Sequence, residues 1–522
     1  MKFLLQSASL TVLTLVLAGC VTPIPQAIDS KNLPSNFTGP VVAGANVWPK
    51  PDWWTEFGSD EMSAMIVQAQ ADNLDLAAAA ARVEQAEANT DIARAPLFPT
   101  IEGTASANRA RSSGSTLGVP GSFTGNQFNV GAQASYEVDI FGKNWNRLSA
   151  ADESLKSSQY AQQVVALSTT AGVAQTYLDV LALRERIAIA QQNITAANRI
   201  LTITKAKVDN GVSSRLDLAQ QEAQLAGQEA QIPALQQQER QALFSLAILL
   251  GRMPEGFDVK AQTLDGIKSP VVAPGLPSQL ILRRPDVAEA EAALAAAHGN
   301  VDAARANFFP SIGLSGSGGY ASNMIKNLIN PSNLAWDIGA SLLQTIFDGG
   351  LKSGQLSLSE GQEKELVADY RKAVISSFSD VETSLNQVAN LAKQEDYLTQ
   401  EVSAASEAFR ISEIQYREGV ADLLAVLQAQ QTLFTAQDLL IQTKLARVQA
   451  DVGLYKALGG GWSEADADAT QTIPAQTTAV PASAPAPDVE SKPEQPVPQT
   501  PGPSDLQQGD VPANPSPTPK HE

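Results

Sequence analysis

The sequence predicts an α+β membrane protein in which a pair of strands followed by a long helical hairpin occurs twice. Three observations carry that class. The chain repeats itself: Ala93-Arg94-Ala95-Pro96-Leu97-Phe98-Pro99-Thr100-Ile101 returns as Ala304-Arg305-Ala306-Asn307-Phe308-Phe309-Pro310-Ser311-Ile312, and Ile140-Phe141-Gly142 as Ile346-Phe347-Asp348-Gly349. The offsets run from 206 to 211, the size of a duplicated half-domain rather than of a solenoid unit. No proline occurs from 121 to 232 or from 332 to 473, which leaves room for helices of unusual length. Between the Ala-rich and proline-free stretches lie segments with side chains alternating at period two.

Each copy reads in the same order. An Ala-rich helix covers 74–95 in the first copy and 285–307 in the second. A strand follows each Pro, over 101–107 and 312–320, alternating apolar or Gly residues with small polar ones. In the next strand Phe128, Val130, Ala132, Ala134, Tyr136, Val138 and Ile140 share one face, and Gln127, Asn129, Gln133, Ser135, Glu137 and Asp139 the other. Its counterpart sets Leu334, Trp336, Ile338, Ala340 and Leu342 against Asp337, Gly339 and Ser341. Ten residues is the length of a transmembrane β-strand, with one face for lipid and one for water; the alternative is a soluble antiparallel sheet with one wet face. Helices then run over 143–209 and 350–417, turn at Gly211 and Gly419, and return with heptad spacing at Leu218, Leu225, Ile232 and Leu246, and at Val426, Leu433, Leu440 and Leu454. Four strands cannot close a barrel, and lipid does not tolerate an open sheet edge. Strands in a membrane therefore require at least two copies of the chain, eight strands being the practical minimum.

The ends differ in kind from the middle. Lys2, an apolar stretch from Phe3 to Val16, and then Leu17-Ala18-Gly19-Cys20 form an export signal too short to span a bilayer. Small residues before a Cys resemble the bacterial lipobox, whose cysteine is lipidated and becomes the first residue of the mature chain; an ordinary signal peptide with an incidental Cys is the alternative. Several acyl chains anchor firmly where one is marginal. Residues 463–522 hold 13 of the 30 prolines and no aromatic residue, and nine acids against two lysines give them −7 of the total −19. Such a tail cannot bury enough apolar surface to offset its ordering entropy and reads as a solvated, Pro-rich segment.

Composition excludes much chemistry. With 55 acidic against 36 basic side chains the chain is no nucleic-acid binder. Two histidines, His298 and His521, and a single cysteine leave no His/Cys metal cluster, paired thiol nucleophile or disulfide framework. No cofactor and no catalytic residue is expected. The one near match to a dinucleotide fingerprint, Gly316-Ser317-Gly318-Gly319-Tyr320-Ala321, lies inside a strand with no helix opening after it and fails its context.

The lipobox, the Pro-ended Ala helix, the strand pairs, Tyr416-Arg417-Glu418-Gly419-Val420 and the ending Leu454-Tyr455-Lys456-Ala457-Leu458-Gly459-Gly460-Gly461-Trp462 together resemble the TolC-like outer-membrane efflux proteins. The match is to the lipoprotein, NodT-like branch that serves resistance-nodulation-division pumps, and it covers about 20–462. The resemblance implies a homotrimer forming a 12-stranded β-barrel continued by a 12-helix periplasmic tunnel. It also implies a location in the outer membrane of a Gram-negative bacterium and two partners, a periplasmic adaptor and an inner-membrane transporter that supplies the energy. The expected function is a passive exit duct for drugs or other small toxic compounds. Protein secretion through a type I system and a purely structural outer-membrane tether are the alternatives; a tether needs no membrane-length strands. The organisation is a signal peptide over 1–19, a lipidated segment over 20–60, repeats over 61–255 and 285–462 with a linker over 256–284, and the tail over 463–522. The adaptor-docking role falls on Asn210, Gly211 and Val212 and on Glu418, Gly419 and Val420, and the tunnel constriction on Leu424, Gln428 and Gln431. Relatives often place an Asp ring where Gln428 stands. Asp217 and Asp422 are the nearby acids, read as exposed charges beside the turns.

Overall fold

The computed structural model describes residues 34, 36–39, 48–113, 121–270, 275 and 277–462. Its helices are α1 (Asp60–Asp72), α2 (Leu74–Arg94), α3 (Lys143–Asp209), α4 (Arg215–Glu229), α5 (Gln231–Leu249), α6 (Pro285–Ala306), α7 (Leu351–Arg417) and α8 (Leu423–Ala457), with a short α-helical turn at Pro277–Leu280 and several 3-10 turns, the longest at Trp53–Phe57. The strands are β1 (Thr100–Ser113), β2 (Ser122–Val138), β3 (Ser311–Ser322) and β4 (Leu334–Leu343). Cys20 and the tail beyond Trp462 lie outside the described residues.

The strands form one antiparallel sheet in the order β1-β2-β3-β4, so the two copies join at β2 and β3 while β1 and β4 remain edges. Registers such as Ile101↔Ala134, Ala134↔Gly316 and Gly316↔Ile338 put the apolar residues of all four strands on one face. Phe128, Tyr320 and Trp336 sit toward one end of that face, and at the base of the sheet Phe141 stacks on Phe309 at 4.7 Å. An apolar band between aromatic residues is what a lipid-facing sheet requires.

Below the sheet, α3 and α7 each run for 67 residues, about 100 Å at 1.5 Å per residue. Each turns back into an antiparallel partner, α4 and α5 for α3 and α8 for α7. The heptads lead to an unbroken returning helix in the second copy only. In the first, Pro233 removes the hydrogen bond to the Glu229 carbonyl and its ring crowds that oxygen, so the helix parts at Ala230. The second copy has Ile441 at the matching place, and α8 continues for 35 residues.

Midway along the helices lies the core. Trp53 stacks on Tyr455 at 5.0 Å, Phe57 packs beside them, and Tyr177, Leu178, Leu181, Leu246 and Leu250 are fully buried around them. One 18-residue window of α3 is apolar enough to cross a membrane, but half of it is buried in this core. Two arginines fasten the inter-repeat linker to the belt of the molecule, the level of the helices at which this core lies. Arg184 on α3 donates to the Val259 and Ala261 carbonyls at 2.6 and 2.8 Å and pairs with Glu239 and Asp258. Arg284 binds Asp286, Asp380 at 3.0 Å and the Ala457 carbonyl. Near the N-terminus, the Thr38 and Gly39 N–H groups donate to the Glu382 carboxylate at 2.6 and 2.9 Å, and Phe37 packs on Phe378.

Candidate functional site

The end of the molecule farthest from the sheet consists of two turns of one design. After α3, the Val212 N–H donates to the Lys207 carbonyl (2.8 Å) and the Gly211 N–H to the Val208 carbonyl (2.9 Å). After α7, Val420 donates to Gln415 (2.8 Å) and Gly419 to Tyr416 (3.1 Å). Both are Schellman closures, which need a left-handed residue after the helix, and Gly211 (φ 71°) and Gly419 (φ 80°) supply it. The next helices are capped at once. Ser214 accepts from the Asp217 N–H while the Asp217 carboxylate accepts from the Ser214 N–H (2.9 Å) and the Ser213 hydroxyl (2.6 Å). Those bonds, the Ser213 hydroxyl first, hold the Asp217 carboxyl below the usual carboxylate range. Asp422 caps α8 by accepting from the Ala425 N–H at 2.9 Å. The two acids read from the sequence as exposed charges are thus helix caps.

Tight turns with saturated backbones leave side chains to face outward. Val212, Leu216, Val420 and Leu424 are 71, 66, 77 and 65 % exposed, four apolar side chains at repeat-related positions. Asn210 caps its own helix through the Ala206 carbonyl (2.7 Å), and Glu418 lies exposed beside Arg417. Leu424, Gln428 and Gln431 are all exposed in the single chain, and Gln431 accepts a hydrogen bond from Gln224 of α4 at 3.1 Å.

The two hairpins are tied to each other above the turns. Arg199 pairs with Glu413, Thr204 and Tyr416 share a buried hydroxyl contact at 3.0 Å, and the Lys207 ammonium lies 4.7 Å from the centre of the Tyr416 ring. Arg186 pairs with Asp438 farther up. Sequence reading missed these ties, because each joins residues more than two hundred positions apart. Val212 and Leu216 were within its reach, as the repeat mates of Val420 and Leu424 at an offset of 208. Among the described residues, no group of three or more His, Cys, Asp or Glu is placed to hold a metal ion.

A model of the outer membrane efflux protein family matches this chain over 65–252 and again over 276–460. The chain belongs to that family. Among its relatives, the pyoverdine export outer membrane protein OpmQ of Pseudomonas aeruginosa is 41% identical over 78% of this chain and 87% of its own length. The cation efflux system protein CusC of Escherichia coli is 28% identical over 86% of this chain and 97% of its own. Of solved structures, the outer-membrane channel OprN superposes with a TM-score of 0.79 at 25% identity, covering 85% of this chain and 99% of that one. A CusC structure gives 0.75 at 27% identity, over 84% and 99%. This outer membrane efflux protein is therefore a channel component of an efflux pump, and its family is one of channels rather than enzymes.

Proposed function

We propose that three copies assemble into the exit duct of a tripartite pump: a closed 12-stranded barrel in the outer membrane, 12 helices below it, and tips that meet a periplasmic adaptor bound to an inner-membrane transporter. The observation that carries this reading is a missing neighbour. The repeat mates α2 and α6 are both Ala-rich, but α6 lies between α3 and α7 with most of its small residues buried, whereas α2 has α3 as its one extensive helix partner and buries only Ala79 and Thr90. A helix matching α7 belongs on the open side of α2, and a second copy has one to give. The unpaired edges of β1 and β4 ask for the same neighbour. Three copies give twelve strands, the number the resemblance implies.

Carrying the β2–β3 register through the repeat offsets sets the register between copies. The pair Ala134↔Gly316 maps to Ala340 of one copy against Ala105 of the next. A chain with Ala105→Cys and Ala340→Cys should form cross-linked trimers in the outer membrane, and neither single variant should. Monomers only, or a ladder that stops at dimers, would overturn the assembly.

Val212, Leu216, Val420 and Leu424, with the turns Asn210-Gly211-Val212 and Glu418-Gly419-Val420, form the adaptor-docking surface, and Leu424, Gln428 and Gln431 narrow the mouth. Cys20 carries the lipid anchor; palmitate labelling of Cys20→Ser equal to wild type would refute that. Relatives are named for pyoverdine, antibiotic, toluene and cation export. Cargo that varied across so similar a fold is chosen by the pump, and this chain supplies the passage for small compounds.

A further inference from the structure

On the face of the sheet opposite the apolar band, small side chains alternate with neutral amides and a few acids. The row Thr104–Gly131–Gly319–Ala335 holds nothing larger than Thr, nor does Thr100–Ser135–Ser315–Gly339 four residues along. At the centre of the first row no side chain fits at all. A Cβ on Gly131 would come within 2.7 Å of the Gly318 carbonyl, and one on Gly319 within 2.5 Å of the Val130 carbonyl. Between these two rows runs a different one, Glu102–Gln133–Ser317–Asp337. Gln133 donates to Glu102 at 3.0 Å and the Ser317 hydroxyl donates to Asp337, so neutral groups hold both carboxylates upright and leave both charges in place. Both acids are exposed. Glu137, lower on the same face, is paired with Lys143, and no Lys or Arg of the described strands lies on this face; Arg109 and Arg111 belong to the apolar one, beyond Phe128.

We propose that the Glu102–Asp337 row is a charge filter at the middle of the barrel, which makes the duct prefer cations and neutral molecules over anions. The inference rests on the barrel reading above. Carboxylates within membrane-length strands, on the face turned away from lipid, need a water-filled lumen, and rings of Asp or Glu in such a lumen confer cation selectivity. Three copies bring six carboxylates without a cationic partner into a passage otherwise lined by small residues and neutral amides, apart from the Glu137–Lys143 pair. Their field reaches about 8–10 Å at physiological salt and about 3 Å at 1 M. The tip has amides, Gln428 and Gln431, at its constriction positions, so charge selection belongs to the barrel.

The test is the reversal potential of the purified full-length protein in planar bilayers under a KCl gradient, with the mouth widened by Leu424→Ala so that it does not mask the barrel. The expected K⁺/Cl⁻ permeability ratio is about threefold or more at 0.1 M, falling toward unity at 1 M. Glu102→Gln with Asp337→Asn should bring it near unity at both, and Gln133→Lys, which adds a cation to the same row, should push it below unity. An anion-selective parent channel, a ratio indifferent to these changes, or selectivity lost instead with Asp422→Asn would each overturn the filter while leaving the duct. Absence of any conductance would overturn the duct, and the filter with it.

Discussion

The two halves of the chain are copies, and they differ most where the returning helices cross the belt. Leu243 of α5 is buried apolar surface; its mate at the same offset in α8 is Asp451, equally buried and held by the Ser269 hydroxyl. Pro233 breaks the first returning helix where Ile441 lets the second continue. On α8 near the tip, Gln430 is fully buried with neither amide atom hydrogen-bonded. At the belt the first half is fastened by apolar packing and by Arg184, while the second carries a buried carboxylate; near the tip the buried Gln221 of the first half still donates to the Ala197 carbonyl, whereas Gln430 of the second has no partner for its amide, which costs stability.

That contrast can be broken from the side of the first half. Arg184 is almost fully buried and satisfies two carbonyls and two carboxylates. Arg184→Leu is expected to cost about 3 kcal/mol by stranding the two carbonyls and Glu239, Asp258 being open to solvent, read as a lowered melting temperature in detergent and as new proteolysis within 253–270. Intact linker and unchanged melting would show that Arg184 is no fastener.

Asp451 sharpens it from the other side. Burial, offset in part by Ser269 and Arg447, pushes its carboxyl up to about 6. A carboxyl raised in the folded state binds more protons there than when unfolded, so this group's contribution is fully present below about pH 4 and is lost as pH rises through about 6. Above that the buried charge costs roughly 2–3 kcal/mol. Asp451→Asn should recover most of it at pH 7 and remove the fall in stability between pH 4 and 6. A melting temperature unchanged at pH 7 would refute the assignment.

Gln430→Leu should stabilise the second hairpin by about 1–2 kcal/mol, since it removes a buried amide left without partners; a loss of stability would mean that the amide is satisfied in the assembly. The smallest effect is expected from Pro233→Ile, which gives the first half the residue of the second. It should close the break at Ala230 and change stability by under about 1 kcal/mol, with added helical circular dichroism as the readout.

Helix spans and strand pattern were legible because they depend on local periodicity: Leu74–Arg94, Lys143–Asp209 and the alternation from Phe128 to Val138 follow directly from residue spacing. Pro233 was visible as well, but heptads running on both sides of it concealed the break. The roles of Asp217 and Asp422 required the turn closures that bring them to helix starts. The row Glu102–Gln133–Ser317–Asp337 depends on three pairing registers, one of them, β2 with β3, between segments joined by a long connection, and periodicity along one strand fixes a face without fixing a row. Arg184 and its carbonyls were out of reach for the same reason, being more than seventy residues apart.

The outgoing helices α3 and α7 are each 67 residues long. Their tips are level only because that length is written twice in the gene. A seven-residue insertion in one copy would preserve the heptad and still lower its tip by about 10 Å relative to the other. Any change in the reach of this molecule across the periplasm has therefore to be made in both halves together, which makes its length a trait that single insertions or deletions cannot tune.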